Sequence, residues 1–139
     1  MTQLIQFIGR FTKTLASLHL DFKEDSFDFL ERSAERDAIF LSLSFPNVHT
    51  FGIFYPRRIE EWCLVKQFLG MFPNLRKLNL LRLDRARDAD PQSHFTLPDD
   101  TADVFHFITK SKRRILGICP DLKLITVEYR HSTWFTFKM

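Results

Sequence analysis

Glycine is scarce in this 139-residue chain, with four copies, and cysteine scarcer, with two. Four glycines are too few for loops that cradle phosphates, and neither G-x-G-x-x-G nor a P-loop is present. Cys63 and Cys119 stand far apart, without C-x-x-C or histidines at ligand spacing, so neither a disulfide framework nor a zinc site is signalled. Each reads as a reduced thiol in the core, where cysteine behaves as a small hydrophobe. No apolar run reaches the ~18 residues that a membrane helix needs. The G-x-S-x-G elbow and the H-E-x-x-H pair are missing as well. His19, His49, His94, His106 and His131 fall singly and read as structural or surface residues. The expectation is a chain that is not an enzyme, with no catalytic residue, no metal and no cofactor.

Charge of one sign is lacking too. Twenty Lys and Arg face seventeen Asp and Glu, a net charge of +3, and the two signs are interleaved. Nucleic-acid-binding domains cluster their cations on one face. The densest basic run, Lys110 to Arg114 ("KSKRR"), reads first as the solvated C-terminal half of a helix, where cations complement the macrodipole. Its rival reading is a nuclear localisation or nucleic-acid patch. Residues 1–20 contain no acid, as in a mitochondrial transit peptide. Yet Leu4, Ile8, Phe11 and Leu15 form the stripe of a helix packed on a core, and that reading is preferred.

What the chain has is bulk and recurrence. It carries sixteen phenylalanines, which point to thick core layers rather than disorder. Its length suits one domain. Within it the apolar spacing L-x-x-L-x-L returns four times, over 15–20, 48–53, 75–80 and 122–127. The triplets are Leu15, Leu18 and Leu20; Val48, Phe51 and Ile53; Leu75, Leu78 and Leu80; Leu122, Ile125 and Val127. Three copies follow a Phe-Pro or Cys-Pro step, at Phe45-Pro46, Phe72-Pro73 and Cys119-Pro120.

The spacing has a mechanical meaning. Side chains alternate in an extended strand, so the second and third members of each triplet face one core. Proline cannot continue a helix and pushes its predecessor into extended geometry, which marks the switch from helix to strand. "ERDAIFLSLSF", "RRIEEWCLVKQFLGMF" and "DTADVFHFITKSKRRILGIC" supply the preceding helices. In the second, Ile59, Trp62, Cys63, Phe68, Leu69 and Phe72 make the apolar stripe, with Glu60, Glu61 and Lys66 off it. In the third, Asp100 or Thr101 is the expected N-cap. Strands joined through helices pair in parallel. The expected fold class is therefore α/β, a short solenoid with strands on the concave face and helices on the convex face.

The steps "FPNLRKLNL" and "CPDLKLITV" are similar to the leucine-rich repeats of F-box proteins, and the irregular, Phe-rich version resembles those found in fungi. The resemblance covers nearly the whole chain, as one domain over 1–139. It implies a module that captures a substrate for a ubiquitin ligase while a separate F-box docks on the ligase. The triplets start 33, 27 and 47 residues apart, against ~20 to 29 in regular repeats. The Asn or Cys expected three positions after each triplet is replaced by Lys23, Pro56, Leu83 and Arg130. The first triplet begins at residue 15, which leaves no room upstream for an F-box, so a ligase role requires a further domain or subunit.

Residues 84–100, charged and with Pro91 and Pro98, read as an exposed loop inserted after the third strand. "STWFTFKM" reads as a closing strand with Trp134 or Phe135 packed inward. The residues between the inward positions form three outward columns. These are Ser17, Thr50, Lys77 and Leu124; His19, Gly52, Asn79 and Thr126; and Asp21, Phe54, Leu81 and Glu128. None stacks Lys or Arg, which argues against a phosphate backbone as partner. Phe54 and Leu81 are expected as a small exposed apolar patch in a polar surround, the look of a protein-recognition site. The expected partner-binding residues are His19, Asp21, Phe54, Lys77, Asn79, Leu81, Thr126 and Glu128. The expected partner is a protein, with no membrane and nucleic acid disfavoured, in a cytoplasmic or nuclear, intracellular setting. The rivals are a nucleic-acid-associated protein using Lys110, Lys112, Arg113 and Arg114, and a fragment without independent activity.

Overall fold

The structure, a computed structural model, describes residues 2–20, 34–54, 56, 59–81, 97–129 and 133–139. Helix α1 (Thr2–Gly9) leads into strand β1 (Ser17–His19), and α2 (Ala34–Ser42) into β2 (Thr50–Phe54). Then α3 (Ile59–Gly70) precedes β3 (Lys77–Leu81), and α4 (Leu97–Ile118) precedes β4 (Leu124–Tyr129) and β5 (Thr133–Lys138). The result is a mixed α/β fold with one five-stranded sheet in the order β1-β2-β3-β4-β5. The first four strands are parallel and β5 is antiparallel to β4. The helices neighbour one another in the same order, α1 on α2, α2 on α3 and α3 on α4.

The triplets lie side by side. Leu18 pairs with Phe51, Phe51 with Leu78 and Leu78 with Ile125. Ile53, Leu80 and Val127 form the next row, and the Leu20 amide donates to the Gly52 carbonyl at 2.8 Å. Every member of the last three triplets is buried, whereas Leu15 and Leu18, at the sheet's edge, are half-buried.

A turn repeated three times sets this register. The Val48, Leu75 and Leu122 amides donate to the Phe45, Phe72 and Cys119 carbonyls, each at 3.2 Å. Each turn carries proline at its second position, where the fixed φ of the ring is already suitable. The residue opening each turn, Phe45, Phe72 or Cys119, is fully buried. Phenylalanines then knit strands to helices. The Phe51 ring of β2 lies 5.5 Å from Phe68 of α3 and 4.7 Å from Phe72, and Phe68 meets Phe40 of α2 edge-on at 4.9 Å. Such pairs add roughly 0.5–1.5 kcal/mol beyond the area they bury.

The asparagine of the Phe-Pro-Asn step stitches one unit to the one before. Asn47 donates its side-chain amide to the Lys13 carbonyl at 2.7 Å, and Asn74 to the Pro46 carbonyl at 2.8 Å. Lys13 and Pro46 occupy the same place in successive units. In the fourth unit Asp121 stands where the asparagine would be, and a carboxylate cannot donate.

Several expectations need correction. Helix α4 begins at Leu97, so residues 97–100 of the expected loop are helical, and neither Asp100 nor Thr101 is its cap. Pro98 marks the start of a helix here, a place where the missing amide hydrogen costs nothing. The rest of that segment lies outside the described residues. Phe11 is 42 % exposed; α1 ends at Gly9, and Ile5 and Ile8 make its buried face. Glu61 is buried at 1 %, although the stripe of α3 leaves it out. Helix α3 has a helix on each side as well as the sheet, so it buries more of its circumference than a surface helix does. The closing strand needs no correction: of the two residues expected to pack inward, Phe135 does so, together with Phe137, and Trp134 points away from the core.

Candidate interaction surface

Pairing across the sheet extends the outward rows onto β5. Leu124 pairs with Lys138, Thr126 with Thr136, and Glu128 with Trp134, and residues paired in this way share a face. One row is therefore Ser17, Thr50, Lys77, Leu124 and Lys138, and the next is His19, Gly52, Asn79, Thr126 and Thr136. Beyond them stand Phe54 and Leu81, paired on β2 and β3, and then Glu128 and Trp134.

The middle row is a chain of hydrogen bonds. Thr126 donates its hydroxyl to Asn79 Oδ1 at 2.5 Å, which fixes the amide so that Nδ2 faces His19. Asn79 Nδ2 lies 3.1 Å from His19 Nε2 and donates to it. The His19 ring reaches Asn79 by lying over Gly52; a Cβ on Gly52 would sit 2.0 Å from His19 Cδ2. Absence of one side chain lets β1 and β3 touch across β2.

The expected site residues divide accordingly. His19 is exposed, and Lys77, Leu81 and Glu128 are partly so. Asn79 and Thr126 are buried, each 7 % exposed, and bonded to one another, so they shape the surface rather than offer free groups. Phe54 is 2 % exposed and belongs to the core, which corrects its reading as an exposed apolar group. It is the last residue of β2, and only four residues separate it from α3; Pro56 in that short return is buried as well. Asp21 lies outside the described residues. Trp134, 47 % exposed, takes over the aromatic role on the outward face. The alternation in "WFTF" carries that signal once Phe135 and Phe137 are placed inward.

Elsewhere, Lys110, Lys112, Arg113 and Arg114 are all exposed on α4, while Ser111 and Ile115 form its buried side. His49 Nδ1 lies 3.0 Å from the Asn74 carbonyl, His106 is exposed, and His94 and His131 lie outside the described residues. Among the described residues no three His, Cys, Asp or Glu side chains come together to hold a metal. Burial pushes the Cys119 thiol up to about 11, and its Sγ lies 3.5 Å from the Leu69 carbonyl. Cys63 is half-buried. An open groove of about 370 Å³ lies between α2 and α3, lined by Asp37, Phe40, Leu41, Lys66 and Gln67 among others. Gln67 Nε2 of α3 donates to Asp37 Oδ1 of α2 at 2.7 Å, joining the two helices that line it.

Among the described residues no helix is long and apolar enough to cross a membrane. No family model matches the chain, and neither does any curated protein or any solved structure.

Proposed function

We propose that the chain is a non-catalytic protein-interaction module, a short solenoid of leucine-rich-repeat type that recognises a partner with the outward face of its sheet. The supporting observation is the register: four recurring triplets pair in one parallel array, so the residues between them form continuous rows on the other face. The His19–Asn79–Thr126 chain holds the middle row in one arrangement before any partner arrives, which lowers the ordering cost of binding. Trp134 and Leu81 supply apolar contact area, and Glu128 and Lys77 supply charge nearby. An exposed aromatic within a polar surround is the usual anatomy of a protein-recognition surface.

The resemblance of "FPNLRKLNL" and "CPDLKLITV" to F-box leucine-rich repeats extends the proposal. In that role the module would present substrates to a ubiquitin ligase, with the F-box supplied by another segment or subunit. Affinity capture from the native cell extract tests both halves. Proteins held by the wild type are expected to be lost from a Leu81→Ser/Trp134→Ala variant and kept by a Lys110→Gln/Lys112→Gln variant. Identical captures from all three would remove the outward face as the site. Captures without any ligase subunit would remove the ligase role.

One observation favours a second reading. The four cations of 110–114 are all exposed on one helix, as a nucleic-acid-associated protein requires. Salt-dependent oligonucleotide binding that collapses when those four are neutralised would select it.

A further inference from the structure

Immediately ahead of the strands runs a row outside the three outward columns. His49, Arg76 and Lys123 stand at one register before β2, β3 and β4. The Arg76 amide donates to the His49 carbonyl at 2.9 Å, and the Lys123 amide to the Arg76 carbonyl at 2.9 Å. Their backbones are therefore neighbours at the ~4.8 Å spacing of strands. Lys77 is the next residue along β3, and it shares with Lys138 of β5 a common neighbour, Leu124. Arg76, Lys123 and Lys138 are exposed and Lys77 is half-buried.

No ion pair neutralises these four side chains among the described residues. Asp121, two residues before Lys123, is exposed and forms none either. Like charges on adjacent strands cost folding stability, and a bound anionic group would offset that cost.

We propose that this end of the sheet docks an extended acidic segment of a partner protein, with Arg76 and Lys123 as its central cations. The class of partner rests on the interaction-module reading; the place does not, because its central cations, Arg76 and Lys123, stand ahead of the strands and outside the outward rows, which it meets only at Lys77 and Lys138. An extended peptide crossing the strand ends offers a carboxylate on one side at every second residue, ~6.7 Å apart. Arg and Lys side chains are long enough to absorb the difference from the strand spacing. Nucleic acid fits less well. Single strands are held by aromatic platforms as well as cations, and Trp134, the exposed aromatic of β5, pairs with Glu128 at the far end from Lys138.

Fluorescence anisotropy with a short labelled peptide of alternating Glu and Ser, beside a labelled oligothymidylate, decides the matter. The wild type is expected to bind the peptide, more weakly as salt rises. An Arg76→Gln/Lys123→Gln variant that melts like the wild type is expected to lose about tenfold in affinity. Lys110→Gln/Lys112→Gln and Leu81→Ser/Trp134→Ala are each expected to bind the peptide as the wild type does. The last variant separates this site from the outward face, so either can fail alone. Absence of salt-dependent peptide binding, or equal binding by the Arg76/Lys123 variant, would overturn the proposal. Tighter binding of the oligothymidylate through the same two residues would overturn it in favour of nucleic acid.

Discussion

His19 and Asn79, sixty residues apart in the chain, meet at 3.1 Å across a strand that belongs to neither of them. The strand between is crossed at Gly52, where any Cβ would collide with the imidazole. Gly52→Ala is therefore expected to expel the ring and break the bond to Asn79, with a loss of roughly 1–2 kcal/mol. In a His19→Ala background the same change should cost almost nothing, since the new methyl then meets no ring. Urea denaturation of the four proteins in the cycle measures the coupling. Additive costs would mean that His19 does not lie over Gly52.

The asparagine stitches make a second prediction. Asn47→Ala and Asn74→Ala each remove a side-chain bond to the preceding unit and should cost about 0.5–1.5 kcal/mol. Asp121→Asn runs the other way. Its amide would stand where Asn47 and Asn74 stand and could donate to the Pro73 carbonyl, so a gain of up to about 1 kcal/mol is expected in thermal or urea unfolding. An unchanged midpoint for Asp121→Asn would show that the fourth unit docks differently from the second and third.

Cys119 sets a pH dependence. Burial raises the folded thiol to about 11 from an ordinary value of 9.0, so the folded state keeps its proton where the unfolded chain has lost it. The stabilisation is fully present below pH 9 and is lost as pH rises through about 11. Urea midpoints measured across that window should fall, and Cys119→Ala should flatten the slope. Native alkylation should modify half-buried Cys63 well before Cys119.

Phe54 and Trp134 are expected to behave as opposites. Phe54→Ala leaves a cavity in the core and should cost about 3–5 kcal/mol. Trp134→Ala, at an exposed position, should shift stability by less than about 1 kcal/mol while removing contact area from the outward face. Melting curves of the two variants distinguish core from surface directly.

The register was legible because two local signals agree on it. A proline turn starts each strand at the same place, and side-chain alternation does the rest, so Leu20, Ile53, Leu80 and Val127 could be aligned from spacing alone. The role of the asparagine in Phe-Pro-Asn was written in the same words. It was missed because a turn residue reads as a local choice, while its partners, the Lys13 and Pro46 carbonyls, belong to the unit before. The candidate surface was half legible. Lys77, Leu81 and Glu128 lie where the columns put them, but Phe54 does not stay exposed and Trp134 does. Burial at a strand's end depends on how the chain leaves it, and no periodicity extends into that return. The row of His49, Arg76 and Lys123 lay one position outside the columns that alternation defines.

Taken alone, the sequence determined the alternation of helices and strands, the parallel order of β1 to β4 and the residues that share their rows, because backbone geometry repeats with fixed periods. Tertiary structure decided which of those residues touch. His19 leaning over Gly52, Glu61 buried on α3 and cations gathered at one end of the sheet all depend on distances between segments far apart in the chain. Packing sets such distances, and the spacing of one segment carries no record of them.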